Sequence, residues 1–260
     1  MTPPYPTPED EFRALMNGDH PQVRRRRALN ARLPSGPRCK TCNTPFGMPG
    51  GLLSRALRRP PFPKNPRFCQ FCFNWLSSAG IRGADVELTI LFTDVRDSVG
   101  LAERLGPSAY TALIDRFYHV ASNAVIATNG VADRFIGDAL LGLYVRGMAG
   151  PDYTAAALQA ARAIVAGTGH PTAPWIAAGV AIHHGVAFLG GVGEEGQLHD
   201  FTALGDPVNT AARQASSAQA GEILVSLDAA SGMDLDTAPL EHRSLALKGK
   251  ADPLEVVVIR

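Results

Sequence analysis

From residue 86 onward the apolar positions follow two rhythms. VELTILFTDV, Val86 to Val95, is a β-branched, mostly apolar run with an acid near its end, which predicts a strand carrying a carboxylate at its C-terminal edge. Tyr110, Leu113, Ile114, Phe117, Tyr118, Ala121 and Val125 then recur at three- and four-residue spacing between Pro107-Ser108 and Asn129-Gly130, the pattern of a long amphipathic helix. VADRFIGDALLGLYV reads as a hairpin turning at Gly137-Asp138. An alanine-rich helix is predicted over 152–167, and two strands joined near His184-Gly185 over Trp175 to Val192. Pro207 opens a helix to Ala218, and EILVS, EHRSLALKG and LEVVVIR supply closing strands. The order β-α-β-β-α-β, with additions, is that of a ferredoxin-like α+β sandwich.

Before this domain the rhythm is broken. Residues 1–38 hold seven of the twenty prolines and the run Arg24 to Arg27. Proline fixes φ and lacks an amide donor, so at most two short helices are expected, near Pro8 to Met16 and Gln22 to Leu33, with little of the segment in a core. The arginine run reads as a solvated helix face, with an anion or partner contact as the sharper alternative. Residues 39–78 form a separate unit defined by Cys39, Cys42, Cys69 and Cys72, and residues 84–260 the main domain.

These are the only four cysteines, and they fall as two C-x₂-C pairs around a Gly/Pro-rich loop with few aliphatics. Such a loop cannot offset its ordering entropy by burial, so four thiolates around one Zn²⁺ are the expected staple, with an iron–sulfur cluster as the alternative. A formal net charge of +1 gives no global argument for nucleic acid or an anionic membrane as partner. No run of eighteen apolar residues or basic-then-apolar leader is present, so a cytoplasmic protein without a membrane span is expected.

Two acids stand out in the main domain. Asp94 and Asp138 occupy LFTD and FIGD, at the edges of strands that a β-α-β-β arrangement sets side by side. Either acid alone is a common turn residue; a convergent pair offers the hard oxygens that Mg²⁺ or Mn²⁺ prefers, completed by substrate phosphates.

The ordered strings LFTDV, RFIGDALLGLY, AIHHG, DFTALGDPVNTAAR, GEILVS and LALKGK resemble the motif set of class III adenylate and guanylate (nucleotidyl) cyclases over most of residues 86–259. The resemblance implies conversion of a nucleoside triphosphate, ATP first, to a 3′,5′-cyclic nucleotide and pyrophosphate with two Mg²⁺ or Mn²⁺. Carried over by position, Asp94 and Asp138 would hold the metals, assisted by the Val95 carbonyl. Asn209 would orient the ribose, Arg213 would stabilise charge on the α-phosphate, and Lys248 would meet the terminal phosphates. Arg134 and Thr202 would face the base. The resemblance also implies a head-to-tail homodimer whose sites are shared between two chains.

The chain departs from that family at several positions. Arg134 stands where adenylate cyclases usually carry lysine, and a planar five-donor group suits the carbonyl edges of guanine or uracil as well. Asp97 and Val99 replace the small and hydroxyl residues of the phosphate turn, and Gly179 replaces a basic residue. A carboxylate at 97 would repel triphosphate unless it points outward or meets Arg96. These departures leave open a degenerate cyclase that acts as a nucleotide-binding regulatory module.

Overall fold

The computed structural model describes residues 5–34, 36–62, 65–72, 74, 83–192 and 200–260. The expected end of the cysteine unit, residue 78, lies outside them. The chain forms two compact units, the first made of Met1–Val86, Arg146–Pro151 and Phe188–Thr202, the second of Glu87–Val145, Asp152–Ala187 and Ala203–Arg260. No helix among the described residues is long and apolar enough to cross a membrane.

The first unit begins with α1 (Pro8–Asn17) and α2 (Pro21–Ala31). Thr7 caps α1 by accepting 3.1 Å from the Asp10 amide, and Pro8 fills a position whose missing N–H costs nothing. Contrary to the expectation that little here is core, α1 buries Phe12, Leu15 and Met16, and α2 buries Val23. The prolines sit at helix starts and leave an uninterrupted i, i+3, i+4 face on α1. That face ends at Gly18, whose φ of 79° closes the helix, and a Cβ on Gly147 would sit 2.4 Å from the Leu15 carbonyl. Gly147 lies in α6 (Arg146–Ala149) of the same unit. The cysteine region contributes α3 (Gly50–Ala56) and the antiparallel pair β1 (Pro61–Phe62) and β2 (Asn65–Cys69), in which Pro61 faces Cys69.

The main sheet carries strands in the order β4-β5-β3-β6-β8-β10-β9, with β7 pairing β6. They are β3 (Gly83–Val95), β4 (Val131–Ile136), β5 (Ala139–Tyr144), β6 (Ala178–Val192), β7 (Asp200–Leu204), β8 (Ile223–Ser226), β9 (Glu241–Leu245) and β10 (Leu254–Ile259). Two long helices, α5 (Pro107–Ala127) and α7 (Tyr153–Gly167), pack on each other and bury Phe117, Ala121, Val125, Ala157, Ala161 and Ile164. The mixed α+β architecture expected from the sequence is thus present. Three short helices were not foreseen there: α4 (Ser98–Leu105), α6 and α9 (Leu227–Ser231).

One element differs from its prediction. His184-Gly185 is not the turn of a hairpin; Ala178–Val192 is one continuous strand. Gly185 is there for space, because a Cβ would meet Pro207 at 3.0 Å where helix α8 (Asp206–Ser217) begins. Gly179 on the same strand has the same cause. Its Cβ would lie 2.7 Å from that of Ala218, so no basic side chain fits.

Candidate functional site

The β3–β5 ladder positions the two acids. Asp94 lies opposite Ala139, the residue after Asp138, and the neighbouring rung is fixed by the Leu140 amide donating 3.0 Å to Thr93 Oγ1. Asp138 follows Gly137 in the β4–β5 turn, where φ is 62° at the glycine. The Tyr118 hydroxyl donates to the Gly137 carbonyl, and its ring stacks on Phe135 with centroids 3.9 Å apart. Burial, then the Asp138 charge, raises the Tyr118 pKa, so the hydroxyl keeps the proton it donates. Helix α5 therefore anchors the acid turn through Tyr118, a role that its place in the helical periodicity did not reveal. Both carboxylates are half-buried, and carboxylate oxygens are the donor type that a hard divalent cation takes.

Asp94 pairs with Arg96, whose Nη1 also donates 2.8 Å to the Ser216 carbonyl and 3.2 Å to that of Ala218. Asp97 does not meet Arg96. It is exposed, left-handed at φ 54°, and pairs with Arg104 at 3.0 Å. Gly100 makes room for that carboxylate, since a Cβ there would sit 2.4 Å from Asp97 Oδ1. Val99 is 72% exposed and is therefore not a core residue.

Helix α8 carries the second group. Thr210, Ala211, Gln214 and Ala215 bury one face, and the Gln214 amide donates 3.2 Å to the Ile182 carbonyl and 2.9 Å to that of Leu224, which docks the helix on β6 and β8. Asn209 and Arg213, four residues apart, are left on the exposed face. The turn after β9 passes beside Arg213: a Cβ on Gly249 would lie 3.6 Å from its Nη1. Lys248, exposed, precedes this glycine, and Lys250 pairs with Asp206 at the start of α8. The Lys250 hydrogen bond holds the Asp206 carboxyl below its usual pKa.

The base-facing candidates are placed separately. Arg134 is on β4, at a register irregularity next to Asp133, whose Oδ2 lies 3.4 Å from its Nε. Thr202 is buried on β7, in the first unit. The structure thus joins Asp94 with Asp138, and Arg213 with the Lys248 turn. Among the described residues, no hydrogen bond or ion pair links either acid to Asn209, Arg213 or Lys248.

The four cysteines converge in the first unit. All are buried and free, with Sγ atoms within 4.8 Å of one another and Cys42 Sγ 3.7 Å from Cys69 Sγ. Metal–sulfur bonds of about 2.3 Å at tetrahedral angles put sulfurs roughly 3.8 Å apart, so the cluster fits a Cys₄ centre. The backbone supports it. The Cys69 amide donates 3.3 Å to Cys39 Sγ and the Cys72 amide 3.4 Å to Cys69 Sγ. Hydrogen bonds from Cys39, the other thiols and Thr44 pull Cys42 below the ordinary thiol pKa, while hydrogen bonds within the same cluster and burial raise Cys39 and Cys72. Asn30 of α2 donates 2.8 Å to the Cys42 carbonyl, which ties the knuckle to the N-terminal helices.

Comparison with known proteins identifies the domain that carries these residues. Residues 84–259 match the family model described as Adenylate and Guanylate cyclase catalytic domain. An adenylate cyclase of Anabaena cylindrica is 30% identical over 137 residues, covering 48% of this chain and 26% of the relative. Adenylate cyclase 1 of Rhizobium meliloti (strain 1021) is 28% identical over 134 residues, covering 49% and 20%. The match therefore spans only 26% and 20% of the length of these two relatives. Among solved structures, the guanylyl cyclase Cya2 superposes with a TM-score of 0.61 at 22% identity, over 68% of this chain and 92% of its own. The adenylyl cyclase CyaB from P. aeruginosa gives 0.56 at 25% identity, over 67% and 94%. With the matched domain spanning 84–259, the chain belongs to the adenylate and guanylate cyclase catalytic domain family.

Proposed function

We propose that this chain is an active nucleotidyl cyclase that converts a nucleoside triphosphate, ATP first, to its 3′,5′-cyclic nucleotide and pyrophosphate in intracellular signalling. The observation that carries the proposal is the adjacency of Asp94 and Asp138 across the β3–β5 ladder. These carboxylates, with the Val95 carbonyl, would hold two Mg²⁺ or Mn²⁺. When bound, the metals would lower the pKa of the ribose 3′-hydroxyl and neutralise the leaving pyrophosphate. Asn209 orients the ribose, Arg213 stabilises the charge that grows on the α-phosphate, and Lys248 binds the terminal phosphates as a point charge. Arg134 and Thr202 read the base. The names of the two adenylate cyclase relatives favour ATP, while a guanidinium at 134 keeps guanine and uracil in contention.

The acids and the α8 residues work in trans in this reading, as a head-to-tail homodimer with two shared sites. Exposed Phe135, Ile136, Val186 and Leu204 support it as apolar surface available for burial in a dimer. In the first unit, the four thiolates hold one Zn²⁺ that staples residues 39–78 as a distinct unit ahead of a catalytic domain at 84–260. Mixing inactive Asp94→Ala and Arg213→Ala proteins tests the shared site. Random exchange puts half the dimers in a mixed form with one intact site, so activity returns to roughly a quarter of wild type per chain. A mixture that exchanges subunits yet stays inactive contradicts the trans arrangement.

A further inference from the structure

The first unit contains a cavity of about 540 Å³ that the cyclase reading does not use. Arg24, Arg27 and Arg146 line it with the Gly147 backbone, and one carboxylate, Asp19, stands among them. Arg24 and Arg27 are three residues apart on α2 and share a face. Arg27 is half-buried and engaged: its Nη1 donates 2.9 Å to the Lys40 carbonyl, 3.4 Å to that of Thr41 and 2.5 Å to that of Gly147. Arg24 and Arg146 are exposed, and among the described residues neither makes an ion pair or a side-chain hydrogen bond.

Three guanidiniums against one carboxylate leave a surplus of positive charge in a concave site. Like charges drawn together are costly until an anion joins them, and the planar fork of arginine matches phosphate oxygens two at a time. The volume is that of a small-molecule site, and a concave pocket favours a compact anion over an extended acidic peptide. We propose that this cavity binds a small phosphate-bearing anion, gripped by Arg24 and Arg146 over a floor set by Arg27. Lys40 and Thr41 lie between Cys39 and Cys42, so the residue at the base of the site also touches the cysteine knuckle. The ligand would therefore bear on the N-terminal unit.

Calorimetric titration of the full chain with inorganic pyrophosphate, without added divalent metal, tests the proposal. Three proteins are compared: wild type, Arg24→Gln/Arg146→Gln and Arg213→Ala. Charge-assisted hydrogen bonds are worth about tenfold each in affinity, so the double variant should weaken binding by at least about tenfold at unchanged Tm. Arg213→Ala should retain the binding event that the double variant loses. No binding by wild type, equal affinity in the double variant, or loss only in Arg213→Ala overturns the proposal. Should the double variant unfold, Arg24→Gln and Arg146→Gln singly, each checked for wild-type Tm, carry the same comparison.

Discussion

Arg96 holds the Asp94 carboxylate in an ion pair while donating to the carbonyls of Ser216 and Ala218. The same guanidinium thus clasps the Asp94 carboxylate on β3 and the C-terminal end of the helix that carries Asn209 and Arg213. The last carbonyls of a helix have no intrahelical donor, so Arg96 supplies what α8 lacks there. Arg96→Ala should lower stability by about 1–2 kcal/mol in urea unfolding and reduce turnover, with Arg96→Lys recovering part of both. An Arg96→Ala protein with wild-type Tm and turnover contradicts this.

The cysteine cluster predicts about one Zn per chain by elemental analysis. Cys39→Ser or Cys69→Ser should loosen residues 39–78 to limited proteolysis while the 84–260 domain resists. Metal-free protein with unchanged protease resistance excludes a metal staple.

Acid should destabilise the protein in two stages. His183 is buried, which pulls its pKa from 6.5 to about 4, so it stays neutral in the fold where the unfolded chain protonates. Its contribution is complete above about pH 6.5 and is lost as pH falls through 4. Glu222 is pushed up by burial, but hydrogen bonds from Arg243, the Gln219 amide and Arg260 outweigh that and hold it at about 2, below its usual 4.5. Its contribution is complete above about pH 5 and disappears as pH falls toward 2. In a pH series of urea unfolding, His183→Gln should flatten the slope between pH 6.5 and 4, and Glu222→Gln only below about 4.5. Identical slopes in all three proteins contradict both assignments.

The phosphate turn is expected to limit the rate. Asp97 puts an exposed anion at a left-handed position, which costs about 1 kcal/mol in a residue with a Cβ. Asp97→Gly with Val99→Thr should raise turnover without loss of Tm. A fall in turnover shows instead that the Asp97–Arg104 pair is part of a rebuilt phosphate cradle.

What was legible in the sequence was what period and local chemistry encode. The strand ending at Asp94, the Gly137-Asp138 turn and the helix carrying Phe117 and Val125 follow from spacing alone, and the four cysteines from their C-x₂-C pairs. Gly185 was misread because a glycine needed for close approach to Pro207 looks the same in sequence as a turn glycine. The buried face of α1 was hidden by prolines that only start helices. Arg96 gave no signal, since its carbonyl partners at Ser216 and Ala218 are remote in the chain, and Tyr118 was indistinguishable from its core neighbours until its hydroxyl was seen on Gly137.

The central claim is tested most directly by incubating the purified chain with each of the four ribonucleoside triphosphates and Mn²⁺ and identifying products by mass. The account predicts a 3′,5′-cyclic nucleotide with an equivalent of pyrophosphate, ATP used best, no product from Asp94→Ala or Asp138→Ala, and a further shift toward ATP in Arg134→Lys. Nucleotides that raise the Tm of the protein while no pyrophosphate is released would show a binding module in place of an enzyme.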